Sequence, residues 1–100
     1  HSKLACTHLN ASFSTFLKAI LPFTAHMHLA DAKGVDGEGL QIHDGEIDWV
    51  QLFSLMDQLA PKASFIPEIW QGHKNNGEGA WLALERLEGC VDSSPQRQVA

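Results

Sequence analysis

TAHMHLADAKGVDGEGLQIHDGEIDW, residues 24–49, sets two histidines one residue apart in a short apolar run and follows them with a glycine-rich, acidic stretch. The run FTAHMHLA has the length and apolar content of a buried strand. Side chains alternate between the two faces of a strand. His26 and His28 therefore share one face, and Ala25, Met27 and Leu29 share the other. The apolar set suits packing beneath helices. The imidazole set is therefore expected to face the inside of the sheet or barrel, where burial is costly unless each ring is hydrogen-bonded or ligated. Two readings of the pair stay open: hydrogen-bonded interior histidines, the commoner fate of a lone histidine, or a site. Three features favour a site: the position at the carboxyl end of the strand, the long segment that follows, and Asp31 three residues after His28. Open α/β sheets and barrels bind ligands at the carboxyl ends of their strands.

Upstream, Phe13, Phe16, Leu17, Ile20 and Leu21 recur at helical spacing until Pro22 stops them. Residues 30–47 hold four glycines and five acids with neither the helix nor the strand period, which predicts a long loop. A second helix opens at Asp48, with Gln51 in capping-box position. Its stripe is Trp49, Leu52, Phe53, Met56 and Leu59, and Pro61 ends it. ASFIPEI predicts a second strand ending near Ile66, since Pro67 has no N–H for a ladder. QGHKNNGEG reads as a loop, and Ala80, Trp81, Leu84 and Leu87 as a third helical stripe ended by Gly89. Residues 90–100 are polar and without a period, which predicts a disordered tail. Helix, strand, loop, helix, strand, loop, helix is the alternation of a parallel α/β sheet. Two strands cannot make such a sheet alone. The chain, opening HSKLAC without a Met, is thus expected to be the end of a larger α/β protein.

A net charge of −5, with seven scattered Lys and Arg, speaks against a nucleic-acid footprint. No apolar run nears the roughly 18 residues of a membrane span, and no signal-peptide layout is visible. Cys6 and Cys90 are expected to be reduced thiols of a cytoplasmic protein rather than an isolated disulfide. Cys6 and His8 lack a partner pair at zinc spacing. GVDGEG lacks the Lys-Ser/Thr of a phosphate loop and the carboxylate spacing of a calcium loop. Asp36, Glu38, Asp44 and Glu46 read as solvated loop acids. Glu68 repeats the pattern of His28, a chemically able side chain at the end of a strand. Alone it is as readily a solvated acid. With His28 on an adjacent parallel strand it could share a divalent metal or move a proton. Trp70 could wall a sugar pocket or belong to the core. His73 and Lys74 could contact an anionic or hydroxylated ligand or be plain surface residues.

HMHLAD, the glycine-rich segment, GEIDW and FIPEIW, taken in that order over residues 1–89, resemble the last part of the xylose-isomerase-like TIM-barrel superfamily. That group holds sugar isomerases and epimerases and relatives of the AP endonucleases. The resemblance implies an incomplete (β/α)8 barrel, from the end of the sixth strand through the eighth helix. The parent would be a divalent-metal-dependent sugar or sugar-phosphate isomerase or epimerase. In the family, the seventh strand ends His-x-x-Asp with the His on the metal, which His28 and Asp31 match; Asp31 and His26 would stand behind the ligands. The eighth strand ends in a metal-binding acid/base Glu, matched by Glu68. His1 falls at the substrate-facing His after the sixth strand. The family's Arg after the seventh-strand His is missing here, and only Lys33 lies nearby. Lys33, His1, Trp70 and His73 would then face a sugar. Mn, Mg or Co is expected ahead of Zn, and a homo-oligomer is an expectation too. The second family Glu and the Asp ligand are absent, which implies that this stretch alone is inactive. PEIWQGHKNNGEGAWLALERLE also resembles the C-terminal module of sialic acid synthase-type proteins, so an accessory, non-catalytic module is one alternative. An AP endonuclease-like metal hydrolase is another.

Overall fold

In chain order the elements are α1 (Ser2–His8), α2 (Phe13–Ile20), a single 3-10 turn (Leu21–Phe23), β1 (His26–Leu29), β2 (Asp31–Lys33), β3 (Gly37–Leu40), α3 (Trp49–Leu59), β4 (Ser64–Pro67) and α4 (Lys74–Asp92). The computed structural model describes residues 1–92. Ser12 caps α2 by accepting from the Thr15 amide at 3.3 Å. Asp48 caps α3 by accepting from the Gln51 amide at 3.0 Å, as the Asp48–Gln51 spacing predicts. β1 and β4 pair in parallel, with His26 opposite Ser64 and His28 opposite Ile66. The connection between them holds a β2–β3 antiparallel hairpin and α3.

The expected arc of a (β/α)8 barrel is corrected. The described residues form two separate two-stranded sheets, β1–β4 and β2–β3, beside four helices. A barrel needs a single sheet of about eight strands curling onto itself, and the hairpin joins neither edge of the parallel pair. The hairpin occupies much of the predicted loop 30–47. Its tight turn uses Gly34 at φ +61, and its register shifts between Asp31 and Lys33, which hides the strand period in the sequence. α1 also lay outside the predicted elements.

Leu21, Ile42, Phe53, Met56 and Leu87 are wholly buried at the centre. The ring of Phe53 meets Phe65 of β4 edge-on, centroids 5.2 Å apart. The α3 stripe is buried as expected, from Trp49 through Met56. The α4 stripe is not the one the sequence suggests. Ala83, Leu87, Cys90 and Val91 are buried, while Trp81 is 69% exposed. Asn75, Asn76 and Gly77 take left-handed angles at the start of α4, so the regular helix follows Gly77, just ahead of the predicted stripe. It also runs past Gly89 to Asp92. The rest of the expected tail, residues 93–100, lies outside the described residues.

Cys6 and Cys90 are both buried, free thiols. Burial pushes the Cys90 thiol above its ordinary value of 9.0, because desolvation disfavours the thiolate. The unfolded thiol ionises first as pH rises, so the unfolded state then holds fewer protons. Stability from this group is intact below about pH 9 and falls as pH climbs past it. Melting curves at about pH 8 and about pH 10 should show a smaller alkaline loss for Cys90→Ala than for the wild type.

Candidate functional site

The parallel ladder runs from the Ser64 amide on the Ala25 carbonyl (3.1 Å) to the Glu68 amide on the Leu29 carbonyl (2.8 Å). That last bond fixes the backbone of Glu68 one residue beyond β4, beside the end of β1. Along β1, Met27 and Leu29 turn toward the core, the alternation that HMHL encodes, but His26 and His28 face solvent rather than an interior, because no second sheet or barrel wall among the described residues covers that face. The side chains of His28 and Glu68 meet across the two strands, Nδ1 to Oε2 at 2.5 Å. A carboxylate only accepts. The His28 Nδ1–H therefore donates, which leaves Nε2 as the ring nitrogen open to a ligand. His26 Nδ1 lies 2.7 Å from Ser64 Oγ. The two imidazoles stand perpendicular, with centroids 5.1 Å apart.

His28 and Glu68 side chains are 53% and 65% exposed. A pair so exposed adds little to stability, so its geometry is not explained by a need to hold the fold. His1, His28 and Glu68 line one cavity of about 160 Å³ whose apolar wall includes Leu17, Leu29, Trp49 and Leu52. His1 Nε2 sits 3.0 Å from Glu38 Oε2. Lys33 is exposed on the hairpin, and Trp70 and His73 are exposed after β4; these three do not line the cavity. Trp70 is tied to the hairpin by its backbone, the amide donating to the Gly39 carbonyl at 2.8 Å.

Asp31, expected behind the metal ligands, is 1% exposed and serves the loop after the hairpin. Its Oδ1 accepts from the amides of Ala32 (2.9 Å) and Ile47 (3.1 Å). Its Oδ2 accepts from the His43 amide (2.9 Å) and the Trp49 indole N–H (3.0 Å). Gly45 packs against the same carboxylate; a Cβ there would lie 2.5 Å from Asp31 Oδ1 and from the Ala32 carbonyl. The segment DGEIDW is thus wrapped around a buried anion, and α3 begins where the wrapping ends.

Ser64 escaped sequence reasoning. The signal was the alternation in SFIPE, which places Ser64, Ile66 and Glu68 on one face of β4; the register that sets Ser64 against His26 is not readable from one sequence. The donor types of His28 and Glu68 suit a divalent cation, but they are two. Among the described residues no group of three or more His, Cys, Asp or Glu side chains is gathered that could hold a metal ion. No described helix is long and apolar enough to cross a membrane. No family model, curated protein or solved structure matches the chain.

Proposed function

We propose that His28 and Glu68 form half of the proton-transfer centre of a divalent-metal-dependent sugar or sugar-phosphate isomerase or epimerase. The observation that carries this reading is their contact, made by residues 40 apart in sequence at the carboxyl ends of adjacent parallel strands. The likeness of HMHLAD and FIPEIW to sugar isomerases supports it. His28, through Nε2, would hold a cation with further ligands from outside the described residues, while Glu68 stays on the His28 Nδ1–H as the base. When bound, the cation would polarise the substrate carbonyl and its neighbouring hydroxyl. Glu68 takes the proton from the carbon beside the carbonyl, and the electron pair of that C–H bond moves onto the carbonyl oxygen to give an enediolate. Return of a proton to the other carbon, with the hydroxyl proton passing to the former carbonyl oxygen, isomerises the sugar; return to the opposite face of the first carbon epimerises it. The His28 Nδ1–H orients the carboxylate for this transfer. The wall of buried apolar side chains excludes water on one side of the pair. The free thiols support a reducing compartment such as the cytoplasm, and the charge of −5 supports a small-molecule partner over nucleic acid.

Proton abstraction is the partial reaction that needs a single base. Incubated in D2O with Mn2+ and a panel of ketoses and ketose phosphates, the chain is expected to wash deuterium into the carbon next to the carbonyl, read by proton NMR. Glu68→Gln should slow this by about 10²–10⁴-fold. Equal rates for the two proteins contradict the assignment of Glu68. A non-catalytic accessory module is the second reading, favoured by the incomplete ligand set; it predicts no wash-in with either protein.

A further inference from the structure

We infer that the exposed face of the β1–β4 pair binds a borderline divalent cation, of the Co2+, Ni2+ and Zn2+ class, through the Nε2 atoms of both His26 and His28. Ser64 and Glu68 would hold the far sides of the two rings. The two imidazoles leave the same face of one strand, with centroids 5.1 Å apart. Each has its Nδ1 engaged, His26 by the Ser64 hydroxyl at 2.7 Å and His28 by the Glu68 carboxylate at 2.5 Å. Metal-ligating histidines characteristically donate their other ring N–H to a carboxylate or another oxygen acceptor, which fixes tautomer and ring orientation. Here an oxygen partner stands at Nδ1 of both rings, side by side. The carboxylate obliges His28 to carry its proton on Nδ1. A serine hydroxyl can donate or accept, so His26 is free to adopt the same tautomer and offer Nε2. Both rings are exposed, so a hydrated cation can reach them.

Imidazole nitrogen selects this class over Mg2+ or Ca2+, which prefer all-oxygen shells. With two protein ligands the remaining positions go to water or to a bound oxygen ligand. The inference adds His26 to the ligands of the proposed function and leaves Glu68 on the ring behind the cation. Cation binding needs no turnover, so it is tested apart from the isomerase reading.

The full chain is titrated with Zn2+ by calorimetry and followed by long-range proton–nitrogen NMR of the imidazoles. One equivalent should bind, with the Nε2 resonances of His26 and His28 both shifting, and Mg2+ should not reproduce this. His26→Gln and His28→Gln should each weaken Zn2+ binding by at least about tenfold, and Glu68→Gln and Ser64→Ala, which remove the groups behind the rings, by up to that much. Circular dichroism checks that each variant keeps its fold. If His26→Gln binds as the wild type does while His28→Gln and Glu68→Gln lose affinity, the cation rests on His28, with Glu68 behind it, and without His26. The inference then fails and the proposed function stands. If all variants bind alike, the cation sits elsewhere and the inference fails. A wild-type spectrum in which the His26 Nε2 does not move overturns it without any variant.

Discussion

Asp31→Ala is expected to destabilise the protein by about 3–5 kcal/mol. The carboxylate is 1% exposed and takes four hydrogen bonds, from the amides of Ala32, His43 and Ile47 and from the indole of Trp49. Alanine leaves the His43 and Ile47 amides and the indole N–H without that acceptor in a space that water does not freely enter. Each such orphaned group costs about 1–3 kcal/mol. Partial opening of the loop recovers some of this, which keeps the total below the simple sum. Domains of this size have about 5–15 kcal/mol in all, and each kcal/mol moves the melting point by about 4–8 °C. Urea and thermal unfolding should both record the loss. Asp31→Asn, which keeps one acceptor oxygen but turns an NH2 toward donors, should fall between. A loss under about 1 kcal/mol for Asp31→Ala would mean that the loop is held by something other than this anion.

Gly45→Ala should cost about 1–3 kcal/mol, near the upper end, through the same contact. The new methyl would stand 2.5 Å from the Ala32 carbonyl and Asp31 Oδ1 and 2.7 Å from the Ala32 amide. Two of these are backbone atoms of β2, so no side-chain rotation relieves the clash and the loop must lift from the hairpin. The Glu46 amide, which donates to the Ala32 carbonyl at 2.7 Å, goes with it. Because both substitutions act on one contact, their effects should not add. The double variant should be less destabilised than the sum of the singles by at least about 0.5 kcal/mol. Strict additivity would place Gly45 and Asp31 in separate roles.

Those two residues also show where a sequence stops being legible. HMHL announced its two faces because period-two alternation is local, and the structure keeps it. The caps at Asp48 and the buried stripe of α3 were equally local. Asp31 looked like part of a site because it follows His28 at a suggestive interval. Its role depends on donors up to 18 residues downstream, and a carboxylate wrapped by backbone amides leaves no periodic trace. The hairpin was hidden by its irregular register and glycines, and the α4 face because AWLAL, residues 80–84, offers apolar side chains on more than one side of the helix. The barrel expectation failed for a further reason. Alternating elements fix which strands can be parallel, but not how many strands stand beside them. Of the candidate site, His28 and Glu68 came together because parallel pairing brings strand ends into line, and His1 joined their cavity. Lys33, Trp70 and His73 sit on segments whose course no local pattern sets.

Asp31 and Glu68 thus divide the chemistry of this end of the molecule. One carboxylate is buried and spends every lone pair on the fold. The other is 65% exposed and touches only His28 among the side-chain contacts described above. Glu68→Gln should accordingly leave the melting temperature nearly unchanged, since an exposed pair is worth about 0–1 kcal/mol. Everything proposed for the pair depends on how the His28 proton is held. The most direct measurement is the nitrogen-15 spectrum of the neutral His28 ring in the wild type and in Glu68→Gln. A ring fixed as the Nδ1–H tautomer in the wild type, relaxing toward the ordinary mixture in the variant, is the predicted result. A wild-type ring already carrying its proton on Nε2, or unmoved by the substitution, would contradict the pairing on which both the proton-transfer centre and the bis-imidazole site are built.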